Sequence, residues 1–274
     1  MVDYKAAFKL PFTNWHRLFV YLIMVNLALF TPAFFFAKFY IEIIKSTGGI
    51  APTAAFSGLN LSIVILSTLA FIIFGLAGTG YVLRVQSYAS RGKNVLPSLD
   101  NISGLFTTAL KFTVGWAVYV IAINILYFVT ILCFLLPGLL KLFGVLLLIP
   151  LIASFLFAIY AIPMLITHFT SLNRFAALFD IRKAWKYAFT VTYFVPWLVS
   201  FGYNYLVNFA AYLVTIALVL ILVFLKFNLI LGVSIGLVLF ISVYSMAYLT
   251  MVNLYGQGYY EVISSRKLKL KGGK

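Results

Sequence analysis

VPWLVSFGYNYLVNFAAYLVTIALVLILVFL, from Val195 to Leu225, runs 31 residues without a charged side chain. As a helix it would reach about 46 Å, well past the roughly 30 Å hydrocarbon core of a bilayer. A surface helix of a soluble domain keeps a charged or broadly polar face; this stretch is predominantly apolar, with no charge on any side, and belongs in lipid or in a deep core. Its length also requires tilt, a kink, or projection beyond the hydrocarbon. Five further runs read the same way: Leu18–Ile44, Leu59–Leu83, Val114–Leu136, Val145–Ile166 and Leu229–Leu254.

Composition leaves no room for a soluble alternative. Of 274 residues, 64% are hydrophobic and 9% charged, against about 25% charged in a soluble domain. This excludes a soluble globular enzyme, a disordered chain and a disulfide scaffold. The single cysteine, Cys133, cannot form an intramolecular disulfide. The first apolar run is too long for a signal-peptide core and is expected to remain as a helix.

Charge gives the orientation. The chain has 20 Lys and Arg against 5 Asp and Glu. Sixteen cations fall on one side of the expected spans: Lys5, Lys9 and Arg17; Arg84, Arg91, Lys93 and Lys111; Arg174, Arg182, Lys183 and Lys186; and Arg266, Lys267, Lys269, Lys271 and Lys274. Lys38, Lys45, Lys141 and Lys226 fall on the other. The positive-inside rule then places both termini in the cytoplasm, as an even number of spans requires. A net charge of +15 raises nucleic acid as a partner, but cations gathered between apolar runs are accounted for by topology. No nucleic acid is expected.

A threefold pattern organises the chain. Segments around Asp3–Leu10, Leu99–Lys111 and Asp180–Phe189 each carry an acid near the start, and the second and third have apolar residues at helical spacing. Asp100 and Asp180 suit helix N-caps or first turns. In the third segment Ile181, Trp185, Ala188 and Phe189 form a stripe, with Arg182, Lys183 and Lys186 largely opposite. A helix lying in the headgroup layer has this pattern. The expected fold is an all-α polytopic membrane protein, a single domain over 1–274. It has six transmembrane helices in three hairpins, each preceded by a cytoplasmic interfacial amphipathic helix. Residues 1–14 form the first interfacial segment and 18–83 hold helices one and two. Residues 98–166 hold an interfacial helix with helices three and four, and 175–254 hold another with helices five and six. Residues 259–274 form a basic tail. Pro32, Pro150, Pro163 and Pro196 are candidate kinks, and Pro137-Gly138 marks a turn.

Catalytic chemistry is hard to find. The acids Asp3, Glu42, Asp100, Asp180 and Glu261 form no close pair, and none lies mid-span. Glu42 falls one turn from Lys38 and Lys45, the spacing of a surface ion network. His16 and His168 fall at span boundaries without companions at metal-ligand spacing, as headgroup-contacting histidines would. Gly75-Leu76-Ala77-Gly78-Thr79-Gly80 lies inside an apolar run without a lysine, so it reads as close helix packing rather than a phosphate loop. No catalytic, cofactor or metal residue is assigned. The best polar patch is Ser200, Asn204 and Asn208, spaced four residues apart on one helix face. It is either interhelical packing or a path for a neutral solute. Candidate contacts for anionic lipid are Arg182, Lys183, Lys186, Lys111, Arg266 and Lys267.

Three stretches carry a family resemblance. They are Phe8-Lys9-Leu10-Pro11-Phe12-Thr13-Asn14-Trp15; Gly80-Tyr81-Val82-Leu83-Arg84 through Arg91-Gly92-Lys93 to Leu96-Pro97-Ser98-Leu99-Asp100; and Tyr255-Gly256-Gln257-Gly258-Tyr259-Tyr260. Together they resemble the prokaryotic membrane family known as domain of unknown function 4013, over nearly the whole chain. The resemblance implies a membrane fold and names no catalytic residue. The leading expectation is a scaffold, accessory or assembly component of a prokaryotic plasma membrane. Its basic face would contact anionic lipid or an acidic partner, with membrane lipids and a protein of a membrane complex as the candidate partners. A permease-type subunit for a small or amphipathic solute is the alternative. A lipid-handling enzyme is a third reading, weakened by the missing acid/base set.

Overall fold

A computed structural model describes residues 2–45, 61–225 and 229–272. Among them every regular element is helical. Asp3 opens the first helix, α1 (Tyr4–Lys9), by accepting the Ala6 N–H at 2.8 Å. A 3-10 turn over Leu10–Phe12 follows, with Pro11 in its first turn, where a missing N–H costs nothing. Asn14 accepts from the Arg17 N–H at 3.1 Å and starts α2, Trp15–Lys45. Then come α3 (Leu61–Ala89), α4 (Ile102–Leu135), α5 (Leu139–Tyr160), α6 (Ile162–Leu172), a 3-10 turn (Phe175–Phe179), α7 (Ile181–Ala188), α8 (Val191–Phe224) and α9 (Leu229–Gly272).

Among the described residues, five helices are long and apolar enough to cross a membrane: Ile65–Ala89 within α3, then α4, α5, α8, and Leu231–Ser265 within α9. Helix α2 is a sixth long helix, and its described apolar stretch is Trp15–Phe30. Consecutive long helices pack in pairs, α2 on α3, α4 on α5 and α8 on α9. Helix α9 is the central pillar, touching α2, α3, α6 and α8.

The protein core lies at one end of the bundle, the basal end, where α1, α6 and α7 sit. There Leu10, Leu18, Tyr81, Val85, Leu96 and Leu249 are buried together. A second cluster joins Met164, Leu165, Ala184, Ala188, Tyr193 and Val262. Away from this end the long helices show apolar side chains outward. Along α8 only Tyr193, Pro196, Ser200 and Ala211 are buried, and its other apolar side chains are partly or fully exposed. Exposed Leu, Ile, Val and Phe over such lengths need lipid around them.

Four boundaries differ from the sequence reading. The segment Ile102–Lys111 is not a separate interfacial helix; it forms the first three turns of α4. Nothing between Lys111 and Val114 breaks the hydrogen-bond ladder, so helix continues into the apolar run. Asn101, not Asp100, caps α4, accepting the Gly104 N–H at 2.9 Å from a left-handed backbone at φ 59°. The fourth apolar run divides at Ala161 into α5 and α6. Pro163 has no N–H for the Ile159 carbonyl, and the Trp197 indole N–H takes that carbonyl at 3.0 Å instead. The tail from Tyr259 is not a separate segment: α9 runs on as one helix to Gly272.

Candidate functional site

Helix α7 is the segment best formed for an interface. Asp180 caps it, accepting the Lys183 N–H at 3.4 Å, and its carboxylate pairs with Lys183 Nζ at 2.7 Å. The sequence reading placed Ala188 on one apolar stripe with Trp185, but the structure separates them. Ala184 and Ala188 are fully buried against the core, whereas Ile181, Trp185 and Phe189 are exposed. Around the helix the order is a buried face, then an exposed apolar face, then the exposed cations Arg182, Lys183 and Lys186. Alanine on the buried face lets α7 lie close to α6. Trp185 stacks on Phe157 with ring centres 5.9 Å apart and tilts on Phe189 at 4.5 Å. Lys111 lies within α4 and is half-buried. The side chains of Arg266 and Lys267 lie outside the described residues, as do those of Lys38, Glu42, Lys45, Asn60 and Lys226.

Two cations of the basic side are tied to backbone. Arg84 donates to the carbonyls of Ser98 at 2.9 Å, Asp100 at 2.6 Å and Asn101 at 2.9 Å. Arg17 donates to the Leu96 carbonyl. The Tyr81 hydroxyl donates to the Pro97 carbonyl at 3.3 Å. Leu96 through Asn101 is thereby clamped to α2 and α3. Gly92, at φ +76°, makes the preceding turn over the Tyr260 ring, which a Cβ would approach to 3.2 Å. The turn thus needs glycine on both counts.

His168 is not a headgroup contact. It is 5% exposed and shares a 2.9 Å hydrogen bond through Nδ1 with the Tyr259 hydroxyl. Ser171 Oγ stands 3.2 Å from the same hydroxyl. On the other side Nε2 faces Asp180 Oδ2 at 3.7 Å, beyond hydrogen-bond range. Burial holds the imidazole below its ordinary pKa, and Lys183 pushes the same way against the Asp180 carboxylate. Lys183, first by hydrogen bonding, keeps the Asp180 carboxyl below its usual range. His168 and Tyr259 are buried while Asp180 is partly exposed at the end of the row, and together they join α6, α7 and α9. Nothing in the sequence brings these residues together, since 91 positions separate His168 from Tyr259. The same holds for Gln86, which donates to Thr167 Oγ1 at 2.6 Å, and for Gln257, which accepts the Asp3 N–H at 2.7 Å.

In the expected polar patch the hydrogen bonds run along α8 itself. Asn208 Nδ2 donates to Asn204 Oδ1 at 3.1 Å, and the fully buried Ser200 hydroxyl donates to the Pro196 carbonyl. None of the three lines the cavity of about 700 Å³ between α2, α3, α4, α6 and α9. That cavity is open on one side and mostly apolar. Among the described residues, no group of three His, Cys, Asp or Glu could hold a metal ion.

The family described as protein of unknown function (DUF4013) matches residues 63–220, more than half of the chain. The chain belongs to this family. The DUF4013 match begins in α3 and ends in α8, so it includes the clamped turn, α6 and α7. Phe8–Trp15 and Tyr255–Tyr260, which the sequence reading counted with the family, lie outside it. No curated protein and no solved structure matches the chain.

Proposed function

We propose that this DUF4013 protein is a non-enzymatic component of a prokaryotic plasma membrane, a scaffold or accessory subunit whose basal face binds anionic lipid headgroups. It crosses the bilayer six times in three hairpins, with both termini and the basal end in the cytoplasm. Helix α7 carries this reading. Its buried alanine face fixes it to the bundle, leaving an apolar face beside a cationic one. Such a helix sinks Ile181, Trp185 and Phe189 into the headgroup boundary and sets Arg182, Lys183 and Lys186 against phosphates. The buried His168–Tyr259 hydrogen bond, with Asp180 beside it, agrees with a role in holding elements together. A permease-type role is the second reading. It draws on the open cavity rather than on Asn204 and Asn208, which do not line it.

The test is to extract the full-length protein with its surrounding membrane into polymer nanodiscs and count lipids. The protein should be enriched in anionic lipid relative to bulk membrane. Replacing Arg182, Lys183 and Lys186 with Gln should remove most of that enrichment, and raised salt should weaken it. Unchanged lipid composition, together with loss of a co-purifying acidic protein, would move the face from lipid to protein recognition.

A further inference from the structure

The cavity between α2, α3, α4, α6 and α9 is built with a direction. Toward the basal end its walls carry Tyr21, Thr79, Gln86, Ser245, Tyr248 and Tyr255. Farther out they carry Leu29, Phe71, Ile72 and Phe74. Among the described residues, no lining residue is charged. The volume, about 700 Å³, falls in the range of small-molecule sites. Leu29, Phe71, Ile72 and Tyr244 line it and are also exposed, so the cavity opens sideways at the depth of the apolar spans. In a bilayer an opening at that depth would meet hydrocarbon, which favours an occupant with an apolar chain.

We propose that this groove is a binding site for an uncharged amphipathic lipid of the diacylglycerol or long-chain alcohol class. Its chain would lie along Leu29, Phe71, Ile72 and Phe74. Its hydroxyl or ester head would lie among the hydroxyls and the amide at the basal end. Charge selects the class. A phosphate or carboxylate head would be desolvated there without a cation beside it, and burial of an unpaired charge is strongly unfavourable. A head with one or two hydrogen-bonding groups finds partners in tyrosine, serine and threonine hydroxyls. Gly75 gives the site its width. It lines the groove, and a Cβ placed on it meets nothing within 4 Å. The inference goes beyond the headgroup contacts of α7, and its test leaves α7 unaltered.

The full chain in nanodiscs is exposed to photoactivatable diacylglycerol, a photoactivatable long-chain alcohol, and photoactivatable phosphatidic acid. The expected result is that a neutral probe labels peptides of α3 and α9 that line the groove, about tenfold more than phosphatidic acid. Gly75→Trp, which fills the groove, should remove most of this labelling. Gly202→Trp, also in open space but on α8, should preserve it. If Gly75→Trp does not elute as a folded protein, competition on the unaltered protein decides. Excess unlabelled neutral lipid should displace the probe, and excess phosphatidic acid should not. Equal groove labelling by neutral and anionic probes, no neutral labelling, labelling indifferent to a folded Gly75→Trp, or failure of competition would each overturn the proposal.

Discussion

His168 shows how a single residue gains its meaning from packing. On the sequence it is a lone histidine at the end of an apolar run; in the fold it is buried beside Tyr259, Tyr187 and the Asp180–Lys183 pair. Burial lowers its pKa below 6.5. An unfolded chain therefore takes up this proton first, and stability falls as pH drops below about 6.5. The Asp180 carboxyl, shifted down, stays ionised across this window. The melting temperature should decline from pH 7 to about pH 5.5, and His168→Gln should flatten that decline. A wild-type profile already flat over this range would contradict the assignment. Glycine gives a second residue-scale lesson. The reading of Gly75–Gly80 as packing glycines holds at Gly80, where a Cβ would come 2.3 Å from the Leu105 carbonyl oxygen. Gly80→Ala should destabilise by about 1–3 kcal/mol through forced separation of α3 and α4, while Gly75→Ala should be nearly neutral in thermal melting. Sequence alone could not separate these two glycines, because the difference lies in which helix stands opposite.

At the scale of elements, Asp180 was readable as a cap because a short carboxylate reaches a backbone N–H within three residues, as Asp3 also does. At Asp100 the adjacent Asn101 takes that role, since its amide oxygen reaches the Gly104 N–H. The second segment misled because an amphipathic helix and the first turns of a spanning helix share one periodicity; only a breaker separates them, and Lys111–Val114 has none. The division of α7 into three faces was likewise hidden, since periodicity cannot say which apolar residues meet protein and which meet lipid. That division makes a prediction for the segment alone. A peptide spanning Phe175–Tyr193 should bind vesicles containing anionic lipid and become helical there, with binding that weakens as salt rises. Replacing Arg182, Lys183 and Lys186 with Gln should remove the anionic preference and leave residual apolar binding. Circular dichroism with vesicle co-sedimentation reads both. Equal, salt-insensitive binding to neutral vesicles would confine these cations to a role in insertion.

For the whole molecule, composition and apolar run length were enough to give an all-helical membrane protein, because lipid demands long apolar helices with internally satisfied backbone. The concentration of the protein core at one end was not readable, since buried and lipid-facing leucines look alike in sequence. It arises where α1, α6 and α7 add short elements around α3 and α9, and where Arg17 and Arg84 bind backbone carbonyls. The central claim is that this packed, basic end faces the cytoplasm, with the α4–α5 turn on the opposite side. Single cysteines at Gly92, Lys183 and Lys141, in a chain with Cys133 replaced by Ala, test it by labelling intact and opened cells with an impermeant thiol reagent. The account predicts that the Lys141 position reacts in intact cells, while the Gly92 and Lys183 positions react only after the cells are opened. External labelling at Gly92 or Lys183 would contradict it.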